Sequence, residues 1–204
     1  MFVCTGNICR SPMAEAILRA RATDAGIDVS VSSAGLLFEG LPAERGAIAA
    51  LERMGIDVSH HEARIIGPDI LGPADLVLGM EHRHVREVVV TEGGDVERTF
   101  TLPEFVERAE AAGPRQHEDF GPWVAGLAAA RTPSELMRAD PRLEVIDPMG
   151  GSKRVFRQNA ARIDELVRRL VAVTWPVSAP ARQPADPLPD PGDRPVPPTP
   201  TRST

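Results

Sequence analysis

The chain has 204 residues, 42% of them hydrophobic, a net charge of −6 at neutral pH and only two cysteines, enough for one ordinary folded domain. That balance excludes nucleic acid and an anionic membrane surface as principal partners, because neither finds a basic stripe to dock on. No apolar run reaches the ~20 residues that span a bilayer, and the first residues lack the basic flank and apolar core of a signal peptide, so a cytoplasmic protein is expected.

In chain order, Met1 to Val3 read as a first strand, followed by the loop CTGNICRS and a helix whose apolar residues Met13, Ala16, Ile17 and Ala20 recur at helical spacing. With three residues ahead of Cys4 the first strand is short, as if several residues were missing from the start. The phrase GIDVS follows a helix-like segment twice, at Gly26 and Gly55, and reads as a shared helix stop with glycine in the left-handed region and isoleucine packing back. Further strands are expected at Val29–Ser33, Ala74–Leu78 and about Arg98–Leu102. The stretch from Glu92 to Asp140 contains LPEFVERAEAAG and GPWVAGLAAARTPSELM and reads as largely helical. A last amphipathic helix carries Ile163, Leu166, Val167, Leu170 and Val171. Strands separated by helices imply an α/β fold, a parallel sheet with helices on both faces. From Trp175 onward proline is dense and large apolar residues nearly vanish, so the domain is expected to span 1–175 and residues 176–204 to be a Pro-rich disordered tail. RPVPPTP within it has the spacing of a ligand for a polyproline-binding partner, although a solvated extension is the simpler reading.

The chemistry concentrates behind the first strand. Ligands of parallel α/β sheets sit beyond the carboxyl ends of the strands, and there the backbone N–H groups of a Gly- and Asn-containing turn converge on an anion, with a helix N-terminus pointing at it. Thr5, Gly6, Asn7, Ile8, Cys9 and Ser11 would form this cradle. Gly6 allows close backbone approach, Asn7 tolerates positive φ, and Ser11 and Pro12 are expected as helix cap and first helical residue. Arg10 adds a planar two-pronged donor matched to phosphate oxygens. At the floor Cys4 is favoured as thiolate by the dipole and the arginine, which makes it a nucleophile. Cys9, a second thiol in the same loop, is read either as a buried space-filler or as a partner that intercepts oxidised Cys4 as a disulfide.

The loop CTGNICRSP resembles the signature of the low molecular weight protein tyrosine phosphatases. SSAG at 32–35, GIDVSHHEAR at 55–64, ADLVLGMEHRHV at 74–85 and VIDPMGGS at 145–152 fall in that family's order, and the resemblance covers residues 1 to about 175. It implies a flavodoxin-like four-stranded parallel sheet of order 2-1-3-4. The activity it implies is phosphomonoester hydrolysis through a phosphocysteine, with neither metal nor organic cofactor. Asp147, in the Asp-Pro loop, would be general acid and then base; Asn7, Ser11, Ser33 and His61 would hold the loop in shape by hydrogen bonding, with Ser11 aimed at the Cys4 thiolate. The substrate would be a phosphorylated protein or a small aryl phosphomonoester. The family's aromatic walls are not matched: Met149 follows Pro148, and Phe38 or Leu37 is the nearest candidate wall.

Two other readings stand beside this one. Arsenate reductases resemble the family; the form that needs further cysteines downstream is excluded because none follows Cys9, which leaves a reductase using an external small thiol. The other is a non-catalytic phosphate- or phosphopeptide-binding module.

Overall fold

The computed structural model describes residues 1–129, 131, 132, 135 and 139–176; the tail expected at 176–204 lies, beyond its first residue, outside the described residues. Four strands, β1 (Phe2–Cys4), β2 (Ser33–Gly35), β3 (Val77–Gly79) and β4 (Thr99–Thr101), form one sheet in the order β2-β1-β3-β4. All pairings are parallel, with Phe2 opposite Ser33, Val3 opposite Gly79 and Leu78 opposite Phe100. Around them lie helices α1 (Arg10–Asp24), α2 (Arg45–Glu52), α3 (Pro68–Leu71), α4 (His82–Arg86), α5 (Leu102–Ala112), α6 (Phe120–Ala129) and α7 (Lys153–Thr174).

Successive residues of a strand point to opposite faces, and each face here has its own core. Phe2, Cys4, Leu78 and Phe100 join the large cluster with Met13, Ile17, Phe105 and Ile163, whereas Val3, Ala34 and Val77 pack with Ile66, Leu71 and Val88. Two-sided burial fits the short apolar runs of β1 and β3, FVC and VLG. α7 lies against α1, α2 and α5, and buried Asp164 ties it to α1 by accepting from Arg21 at 2.8 Å. Both GIDVS phrases end a helix as expected: Gly26 and Gly55 have φ of 66° and 74°, and the N–H groups of Ile27 and Ile56 reach back to Ala22 and Leu51.

Two expectations need correction. The second strand sits at Ser33–Gly35, not Val29–Ser33, because β1 begins at Phe2 and pairs it with Ser33, leaving residues 29–31 no partner on β1. The first helix begins at Arg10 with Cys9 at its cap position and no side-chain cap; Ser11 and Pro12 already lie inside it. The hydroxyl of Ser11 has another use, described next.

Candidate active site

The loop Cys4–Arg10 leaves β1 at the carboxyl edge of the sheet, where β1 has β2 on one side and β3 on the other and the strand order reverses. Four of its carbonyls are taken by surrounding backbone and side chains. Thr5 O accepts from Leu36 N at 2.8 Å, Ile8 O from Glu44 N at 2.7 Å and Cys9 O from Met13 N at 3.1 Å, and Asn7 O lies 2.6 Å from His61 Nε2. By contrast, none of the N–H groups from Thr5 to Cys9 has an acceptor among the described residues. A loop with satisfied carbonyls and free amides is an anion nest.

Asn7 holds this shape. It is the one non-glycine residue with positive φ, 51°, among those described, and its side chain uses every polar site. Nδ2 donates to Ser11 Oγ at 2.9 Å and Ser33 Oγ at 2.8 Å, while Oδ1 accepts from Arg64 N at 2.9 Å. Ser33 in turn donates to Glu15 at 2.6 Å. Ser11 Oγ, which accepts from Asn7, lies 3.0 Å from Cys4 Sγ and 3.4 Å from the Ala34 carbonyl; a Cys4 thiolate can only accept, so in that state the hydroxyl donates to the sulfur. Gly35 explains the SSAG signal: a Cβ there would stand 2.7 Å from Asn7 N, so the loop seats directly on it.

Arg10 is 2% exposed and both ends of its guanidinium are held. Nη1 donates to the Glu81 carboxylate and to Val145 O at 3.0 Å, and Nη2 donates to Asp147 Oδ2 at 2.8 Å. Burial alone would raise the Glu81 carboxyl, but hydrogen bonds from Arg10 and Arg83 outweigh it and hold the group below its ordinary range. Asp147 arrives because Val145 N donates to Met80 O at 2.8 Å, just past β3, and Asn159 holds Ile146 O at 2.6 Å.

Cys4, Thr5, Gly6, Ile8, Cys9, Arg10, Phe38, Arg83, Asp147 and Met149 line one cavity of 250 Å³. A larger one, 540 Å³ beside His82 and Arg108, has no cysteine in its lining, so size does not mark the site. Phe38, not Leu37, is the wall, its ring packed on Gly6. Buried Cys9 donates to Met149 Sδ at 3.1 Å, and burial together with the neighbouring Cys4 pushes its thiol up to about 12. Among the described residues no group of three His, Cys, Asp or Glu could hold a metal ion.

The structure thus brings Cys4, Arg10 and Asp147 to one cavity and ties Asn7, Ser11, Ser33 and His61 into the loop's support. Glu15, Arg64, Glu81 and His84 were not foreseen from sequence. Glu81 had a usable signal, an acidic residue two positions past a strand end on the sheet edge that carries the loop.

The family model described as low molecular weight phosphotyrosine protein phosphatase matches residues 1–116. A protein-arginine-phosphatase of Bacillus subtilis is 30% identical over 171 residues, covering 83% of this chain and 92% of that protein. Among solved structures, the low molecular weight protein tyrosine phosphatase of T. tengcongensis superposes with a TM-score of 0.64 at 32% identity, covering 83% of this chain and 95% of that one. The arginine phosphatase YwlE, as a cysteine-to-serine mutant with a phosphorylated active-site serine, does so with a TM-score of 0.63 at 31% identity over 83% of this chain and 90% of that one.

Proposed function

The chain belongs to the low molecular weight phosphotyrosine protein phosphatase family, a cysteine-dependent hydrolase, and from that premise we propose that it removes phosphoryl groups from tyrosine side chains of proteins by way of a phosphocysteine on Cys4. The carrying observation is the nest itself. Free N–H groups from Thr5 to Cys9, a cysteine sulfur hydrogen-bonded with the Ser11 hydroxyl and a buried guanidinium all border one cavity.

In this reading the phosphate dianion settles in the nest and exchanges with Asp147 for one end of Arg10, while Glu81 keeps the other. The proton of the Cys4 thiol passes to Asp147 once the guanidinium has released that carboxylate, the thiolate attacks phosphorus in line, and Asp147 gives that proton to the leaving phenolic oxygen. The S–P bond forms as the P–O bond breaks. Asp147 then takes a proton from water as that water attacks the phosphocysteine, and thiolate and inorganic phosphate result. The phosphoserine in the mutant YwlE structure supports a phosphoryl group at this position.

The rim supports a protein substrate. Of the seven large apolar residues exposed among those described, Leu37, Phe38, Leu41, Ile146 and Met149 come from the two loops that supply Phe38 and Met149 to the cavity. Such a surface fits an aromatic phosphate carried on a chain with apolar neighbours. Phosphoarginine is a second reading, favoured by the similarity to the B. subtilis arginine phosphatase. The cytoplasm is the proposed compartment; among the described residues no helix is long and apolar enough to cross a membrane.

Cys4→Ser tests the proposal with phosphotyrosine and phosphoarginine peptides side by side. It is expected to bind the phosphotyrosine peptide and vanadate while turning over neither peptide. Wild-type hydrolysis of phosphoarginine alone selects the second reading, and arsenate-dependent oxidation of a small thiol without phosphatase activity selects a reductase.

A further inference from the structure

The turn after β3 reaches back to the first residue of the cradle. His84 is fully buried, accepts the Glu81 backbone N–H at Nδ1, 3.0 Å away, and stands with Nε2 3.0 Å from Thr5 Oγ1. Burial, reinforced by the Arg10 charge, pushes its imidazolium down to about 3, so the ring is neutral. A neutral imidazole carries one N–H. With Nδ1 accepting, that hydrogen is on Nε2, and the Thr5 oxygen is the acceptor. The hydroxyl keeps one hydrogen of its own, for which no protein partner exists among the described residues, and Thr5 lines the cavity shared by Cys4, Arg10 and Asp147.

We propose that His84 fixes the Thr5 hydroxyl as a hydrogen-bond donor into the nest, where it binds a non-bridging oxygen of the phosphoryl group. A phosphate dianion offers only acceptors, so a free threonine hydroxyl is useful to it in one orientation; the N–H of His84 occupies the oxygen and directs the hydrogen to the cavity. Thr5 touches the substrate, and His84 is its positioning residue. The inference rests on the reading of the loop as a phosphate cradle and adds a side-chain donor to its backbone amides.

The test uses the full chain, with p-nitrophenyl phosphate as substrate and vanadate as the anion probe. Thr5→Val keeps the shape and removes the donor; it is expected to lower kcat/KM about tenfold, as for a hydrogen bond to a charged oxygen, and to weaken vanadate inhibition in parallel. Thr5→Ser, which keeps the hydroxyl, is expected to lose clearly less than Thr5→Val in both. His84→Asn keeps an acceptor for Glu81 but loses the reach to Thr5; its loss in kcat/KM should disappear in the Thr5→Val background. If Thr5→Val matches an active wild type in both kcat/KM and vanadate affinity, the inference is wrong while the phosphatase reading stands. If the two losses multiply, His84 does not act through Thr5. Should His84→Asn fail to fold, the two Thr5 variants still decide on the donor. A wild type that turns over no aryl phosphate defeats the phosphatase reading instead, and the vanadate series still tests the hydroxyl.

Discussion

Asn7 was legible as a residue tolerant of positive φ, and the structure gives it φ 51° and three side-chain hydrogen bonds. Cys4 and Arg10 were legible for the same reason: thiol, guanidinium and a helix start within seven residues form a local pattern. Ser11 was misread as the helix cap, because capping preference says nothing of a sulfur 3.0 Å away; its direction toward Cys4 came from the family resemblance and not from the residue's own chemistry. His84 was out of reach and Glu81 had only its place past a strand end to mark it, since their partners Thr5 and Arg10 are 79 and 71 residues distant and meet only once β1 and β3 are in register. Asp147 could not be selected by chemistry alone, because Asp-Pro recurs in this chain; its place in a motif series singled it out. Its role is testable by leaving group. Asp147→Asn is expected to slow turnover of poor leaving groups by about 10²–10⁴ and that of p-nitrophenyl phosphate, which departs without help, much less. Equal losses on both, measured as kcat/KM over a series of aryl phosphates so that only the step that expels the leaving group is read, would remove Asp147 from the acid role.

At the scale of elements, type and order were read correctly and boundaries were not. Each strand has three residues, too few for periodicity to place, and β2 was displaced because its register is set by β1 and not by its own valines. Helix stops were clearer, as Gly26 and Gly55 carry their signal locally. The α4 turn makes a measurable contribution to stability. His84, buried in it among Arg10, Glu81 and Arg83, takes up a proton only at about 3 in the folded protein, against about 6.5 when unfolded. Between these values the unfolded chain binds the extra proton, so stability is lost as pH falls below about 6.5. Thermal unfolding followed from pH 7 to 5, above the range where carboxylates titrate, should lose up to about 1.4 kcal/mol per pH unit from this group. His84→Asn should flatten that slope; an unchanged slope would show that His84 is not the source.

For the molecule as a whole, one domain running to about residue 175 was the expectation; α7 ends at Thr174, and Trp175 stacks on Phe120 at 6.3 Å. The composition beyond that point supplies few groups to bury. Truncation after Pro176 is therefore expected to leave aryl phosphatase kinetics and Tm nearly unchanged, and a Tm lowered by several degrees in a calorimetric scan would show that the tail packs on the domain. The central claim, a phosphoryl group carried on Cys4, is tested most directly by rapid quenching of the full-length protein with p-nitrophenyl phosphate, followed by peptide mass analysis. The account predicts a burst of p-nitrophenol stoichiometric with enzyme and one phosphoryl group on the peptide that contains Cys4. Steady turnover without a burst, with no phosphoryl group on Cys4 and activity surviving in Cys4→Ser, would contradict it.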